Sequence, residues 1–77
     1  MKSELHEVSV IARFGTDGSI IPLSVQFEDG HRCTVDRVLD IRPAASRKHG
    51  GAGIRYLCVV CGQQLILFMD QNKWFHE

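Results

Sequence analysis

The sequence predicts an all-β fold: a small antiparallel barrel, or a strongly bent sheet, of five or six strands. Two observations carry this. Apolar and polar residues alternate at a period of two through most of the chain, and Gly- and Asp-containing pairs interrupt the alternation at short intervals. A chain of 77 residues made of such strands buries a core only by curling onto itself, and an SH3-like barrel is the architecture expected.

Val8, Val10, Ala12 and Phe14 alternate with Glu7, Ser9, Ile11 and Arg13, giving a first strand with the former set facing the core. Gly15-Thr16-Asp17-Gly18 follows as a turn, with glycines available for positive φ. Ile21, Leu23, Val25 and Phe27 alternate with Pro22, Ser24, Gln26 and Glu28 in a second half-buried strand. Pro22 cannot donate to a ladder and belongs at an edge or a bulge. Asp29-Gly30 signals a tight hairpin. In the third segment, His31, Cys33 and Val35 fit a strand face, while Val35, Val38, Leu39 and Arg42 also fit one helical turn. The preceding hairpin and Thr34-Val35 favour a strand, with a bulge near Val38-Leu39 explaining two adjacent apolar residues. Pro43 followed by Gly50 allows at most a short helical turn near 43–49. Ile54–Cys61 and Leu65–Met69 form a second hairpin around Gly62-Gln63, and Asp70–Lys73 turns into a last strand from Trp74 to Glu77.

At this length the chain is one β-rich domain over 1–77. Nine Lys+Arg balance nine Asp+Glu, which removes the global electrostatic case for a histone-like or membrane-surface protein. The start, Met1 to Glu7, lacks the apolar stretch of a secretory signal, and the longest apolar runs are too short to span a bilayer. A cytoplasmic protein with no membrane partner is expected. The three cysteines, an odd count, argue against a disulfide framework and for a reducing compartment.

The charges are unevenly placed. Residues 1–30 carry two cations and five anions, and residues 31–77 carry seven cations and four anions. A basic, Gly-rich loop at 42–55 holds Arg42, Arg47, Lys48 and Arg55, with His49 among them and no acid. Arginine offers paired donors to phosphate or carboxylate, and Gly50, Gly51 and Gly53 let backbone N–H groups approach an anion. The plain alternative is a solvated connection kept soluble by charge. The Gly-Gly-Ala-Gly order matches neither the P-loop nor the dinucleotide fingerprint. Asp36 and Asp40, interleaved with Arg37 and Arg42, read as exposed ion pairs worth under about 1 kcal/mol each. Phe14, Phe27 and Phe68 sit in phase with the core, which leaves Tyr56, Trp74 and Phe75 as candidates for an exposed stacking aromatic or a dimer contact.

Cys58-Val59-Val60-Cys61-Gly62 looks like half of a zinc knuckle. A closed site needs four ligands, so Cys33 and one of His31, His49 or His76 would have to complete it. If Val59-Val60 continue a strand, Cys58 and Cys61 point to opposite faces, and the simpler expectation is three reduced cysteines, no zinc and no other cofactor. A redox reading lacks the helix N-terminus that would lower a thiol pKa, and a Cys33/His31 nucleophile pair lacks an orienting acid. No catalytic residue stands out, so the chain is expected not to be an enzyme.

The order of an Asp-Gly hairpin, Val35-Asp36-Arg37-Val38-Leu39-Asp40, a loop, two strands and Trp74-Phe75 resembles small bacterial proteins classed as domains of unknown function, over about residues 20–77. The resemblance implies a compact β-rich domain and carries no activity, cofactor or catalytic residue with it. Similar domains sometimes accompany DNA-repair polymerases, so the resemblance implies a nucleic-acid context. The expectation is a non-catalytic module that meets an anionic partner, nucleic-acid backbone first and an acidic protein surface second. A protein-interaction or homodimerisation module using an exposed strand edge is the alternative.

Overall fold

The computed structural model describes residues 5–45 and 52–76. Six strands follow one another: β1 (His6–Phe14), β2 (Ile20–Gln26), β3 (Arg32–Ala45), β4 (Ala52–Val60), β5 (Gln63–Asp70) and β6 (Lys73–His76). Each pairs antiparallel with the next, and β1 returns to β6, so the sheet closes into a barrel. The expected small all-β barrel is thus observed. Pro43–Ala45 continue β3 rather than starting a helical turn, and 46–49 lie outside the described residues.

Local chemistry sets the turns. Between β1 and β2, Asp17 Oδ1 accepts from both the backbone N (3.0 Å) and the Oγ (2.7 Å) of Ser19, which holds the Asp17 carboxyl below its ordinary value. Between β2 and β3, Gly30 N donates to Phe27 O (2.9 Å) and Phe27 N to His31 O (2.8 Å). Gly30 sits at φ +88, the left-handed position that closes a three-residue hairpin loop. The β4–β5 and β5–β6 turns are two-residue turns, Cys61-Gly62 and Gln71-Asn72, with every central φ positive. The primed turns that match strand twist require this. Cys61 therefore stands in the turn rather than at the strand end.

Closure rests on two short seams. β1 meets β6 over three residue pairs, His6↔His76 to Val8↔Trp74, and β2 meets β3 over three, Ser24↔Thr34 to Gln26↔Arg32. Both seams lie at one end of the barrel. There His6 Nδ1 approaches Glu28 at 3.3 Å, and Phe27 stands edge-on to His76 with ring centroids 5.3 Å apart. Towards the other end, β1 leaves β6 and β2 leaves β3, so the barrel splays.

Bulges make the bends and reset the alternation. A register shift between Ile11 and Ala12 pairs Ala12 with Pro22 and leaves Leu23 as the extra residue. Pro22 is consequently fully buried and Leu23 exposed, a reversal of the inward place that simple alternation assigns to Leu23. Pro22 falls at the bulge, as its missing N–H demands. In β3, two shifts make Asp36 and Leu39 the extra residues, which locates the expected phase slip near Val38-Leu39. Phe14, read as core, is 71% exposed at the splayed end.

The core runs through Val8, Val25, Cys33, Tyr56, Cys58, Val60, Leu67 and Trp74. Tyr56 spans the interior: its ring packs on Trp74 with centroids 5.1 Å apart, and its hydroxyl donates to Ile20 O at 2.7 Å. Ile20 lies on the stretch of β2 that has left β3, so this bond takes the place of a missing ladder bond. Tyr56→Phe should lower stability by about 1–3 kcal/mol, the cost of stranding a partly buried acceptor. An unchanged urea midpoint would show that the bridge contributes nothing.

Candidate functional site

The basic segment is less of a loop than its composition suggests. Arg42 and Arg55 lie on β3 and β4, directly opposite each other in register. Strand bounds thus shrink the connection to 46–51, and Arg47, Lys48, Gly50 and Gly51 lie outside the described residues. Tyr56 faces inward and is buried, so its neighbour Arg55 faces outward, and Arg42 shares that face through the register. Like charges directly opposite in a ladder repel. Arg42 is partly relieved by Asp40, whose Oδ2 accepts from Arg42 Nε at 2.7 Å. No carboxylate among the described residues pairs with Arg55. Arg55 is half-buried, which fixes its stem and presents its guanidinium on the sheet face.

Gly53 has a packing reason to be glycine. It stands in β4 opposite Ala44, and a Cβ there would lie 2.9 Å from the backbone oxygen of Met69. Its role is the close approach of two strands rather than a mobile anion cradle.

The aromatic residues exchange places relative to the sequence reading. Tyr56, Trp74 and Phe75 are all buried, and Phe14 is the exposed one. Phe14 pairs with Ile20, whose carbonyl holds Tyr56, so it belongs to the same splayed end as the arginine pair. Between β1 and β6 at that end lies a groove of about 410 Å³ whose lining includes Val10, Ala12, Phe14, Met69 and Trp74. The bulge in β2 that resets the register beside Phe14 is not legible from alternation alone.

Cysteine chemistry gathers at the closed end. Cys33 and Cys61 form a disulfide with Cα atoms 5.6 Å apart, which corrects the expectation of three reduced cysteines. The left-handed turn aims Cys61 back across β3, where its N–H donates to Thr34 O at 3.4 Å. Asp36, released by the first β3 bulge, accepts from Gly62 N at 3.2 Å and braces that turn. His31 joins them: its ligand nitrogen and the two sulfurs lie within 4.8 Å of one another. Cys58 does not belong to the group. It is fully buried and free, and burial pushes its thiol up to about 11, so the Cys58–Cys61 knuckle is not formed.

No family model, no curated protein and no solved structure matches this chain. Among the described residues no helix is long and apolar enough to cross a membrane.

The disulfide closes a loop between residues 28 apart in sequence, which is worth about 3.5 kcal/mol in the chain-entropy account. Reduction should therefore lower the unfolding free energy by about that much, read from urea midpoints and slopes with and without a dithiol at fixed pH. Cys58 sets an alkaline limit. Its thiol titrates near 9.0 when unfolded and near 11 when folded, so the folded chain holds the proton more tightly. The contribution of Cys58 to stability is complete below pH 9 and is lost as pH rises from there through 11. The loss between these values should be shallower in Cys58→Ala, read from unfolding curves across that range.

Proposed function

We propose that this chain is a non-catalytic, cytoplasmic binding module, a barrel of the SH3-like kind, that contacts a nucleic-acid backbone with the outward face of the β3–β4 ribbon. The observation that carries the reading is the in-register Arg42–Arg55 pair. Two guanidinium groups opposite each other on one ladder repel, Asp40 relieves Arg42 only in part, and a phosphate can accept from both. The sequence between them adds Arg47 and Lys48 and no acid, and a two-stranded β-ribbon is an element that the major groove of DNA admits. Phe14, exposed at the same end, offers a face on which an unpaired base can stack.

A second reading has its own observation. From Val35 onward, β3 pairs only with β4, because β2 follows it no further than Thr34. That open edge, with Leu39 and Ile41 exposed, suits strand addition by a protein partner or a second copy. The bulges at Asp36 and Leu39 interrupt it, as edges protected against casual pairing are interrupted, which leaves Asp40–Ala45 as the regular stretch.

Short single- and double-stranded DNA and RNA, titrated at low and physiological salt and followed by amide NMR, decide between them. The nucleic-acid reading expects salt-sensitive shifts at Arg42 and Arg55. It also expects the logarithmic salt slope to fall by about 1 for each of Arg42→Ala and Arg55→Ala. No shift at low salt would overturn it. Concentration-dependent shifts along 40–45 that persist at high salt would establish the edge instead.

A further inference from the structure

We propose that His31, Cys33 and Cys61 form a metal site for a thiophilic divalent cation of the zinc class, which opens when the Cys33–Cys61 disulfide is reduced. The donor set fits the ion. Two thiolates and an imidazole are a borderline-soft N/S set, the kind that zinc takes in structural and catalytic centres alike. The distances fit as well. Ligand atoms bound at about 2.0–2.3 Å in a tetrahedron lie about 3.3–3.8 Å apart, and the three here already lie within 4.8 Å of one another. Side-chain rotation covers the difference.

The backbone beneath each ligand is fixed. His31 N donates to Asp29 Oδ1 at 2.9 Å and His31 O accepts from Phe27 N at 2.8 Å, so both backbone groups of His31 are engaged. Cys33 is buried in the β2–β3 seam opposite Val25. Cys61 is held in its turn by Thr34 O and, through Gly62, by Asp36. His31 and Cys61 are solvent-exposed, and a cavity of about 300 Å³ floored by Phe27, Val60 and Leu65 adjoins the site, so an ion can enter. Among the described residues no fourth donor joins the cluster. The fourth position therefore goes to water or to a partner's ligand, an open site rather than a closed structural one.

The chemistry balances as an exchange. A small-molecule dithiol supplies two electrons and two protons to the Cys33–Cys61 bond and becomes a disulfide itself, which leaves two thiols. The cation then displaces both thiol protons as the two metal–sulfur bonds form. A reducing cytoplasm would keep the chain in the metal-competent form. A small-molecule disulfide would accept two electrons from the two thiolates and two protons from water, leave as two thiols, release the ion and restore the covalent clasp. The site is independent of the arginine pair and stands or falls separately from it.

The test uses the whole chain, reduced with a dithiol and then freed of it without air. Cobalt(II) is the probe, with zinc(II) as competitor. One cobalt per chain is expected, with thiolate-to-cobalt absorption that zinc abolishes, and no such absorption in the disulfide form. Cys61→Ser and His31→Ala should each weaken binding at least tenfold, while Cys58→Ala leaves it unchanged. On the unaltered chain, zinc should protect Cys33 and Cys61 from alkylation and raise the melting temperature, so the result does not depend on any variant folding. Absence of cobalt absorption in the reduced chain, equal binding by the disulfide form, or alkylation of Cys33 and Cys61 undiminished by zinc would each overturn the proposal.

Discussion

Everything in this fold depends on β3 having to bend. A barrel this small closes only if one long strand leaves one sheet and joins the next, and β3 does so: Arg32–Thr34 pair with β2, and Val35–Ala45 pair with β4 alone. A strand in continuous pleat cannot make that change of direction, and extra residues supply it. The two extra residues, Asp36 and Leu39, then carry consequences of their own. Asp36, freed from the ladder, braces the Cys61–Gly62 turn, and that turn aims Cys61 at Cys33. Leu39 is pushed into solvent, and the edge beyond it is left unpaired. The clasp at one end and the open edge at the other share a single cause.

The same constraint explains why the barrel is closed unequally. Three residue pairs at each seam are few for a sheet that must hold its own ends together, and a domain of this size has little surplus stability to spend on gaps. Both seams meet where the disulfide, the His6–Glu28 contact and the Phe27–His76 contact lie. Among the described residues, the splayed end is tied across its gap by Tyr56, reaching from β4 to Ile20. There the apolar groove, Phe14 and the arginine face are exposed.

The strands and turns were legible in the sequence because alternation and turn residues are local signals. The β3 phase slip was legible too, since Val38-Leu39 breaks a period of two. What was hidden came from registers between strands. Nothing local says that Leu23 is the extra residue in β2, so alternation gives Pro22 and Leu23 the wrong faces. Phe14 keeps the phase of Val8, Val10 and Ala12 and is exposed because it stands at the splayed end. The Cys33–Cys61 pairing was hidden for the same reason. It needs a left-handed residue at Cys61, where glycine or asparagine is the usual choice, and a bulge at Asp36 whose brace lies 26 residues away in sequence. The composition of 42–55 reads as one basic loop, whereas Arg42 and Arg55 stand on paired strands and Gly53 serves strand packing; neither placement has a local signal.

The two chemical ends are separated by the length of β3. Arg42 lies nine positions beyond Cys33, about 30 Å of strand contour, and from Asp40 to Ala45 the ladder with β4 is regular. A regular ladder has one arrangement, and coupling between distant sites needs an element with two. The sole irregular stretch on the path is the pair of bulges at Asp36 and Leu39, one of which is tied to the cysteine turn by its carboxylate. An influence of the Cys33–Cys61 clasp on the arginine face that travels along β3 would pass through the Asp36 brace. If Asp36 keeps its bond to Gly62 in both the disulfide and the dithiol chain, the two ends act as separate devices on one scaffold.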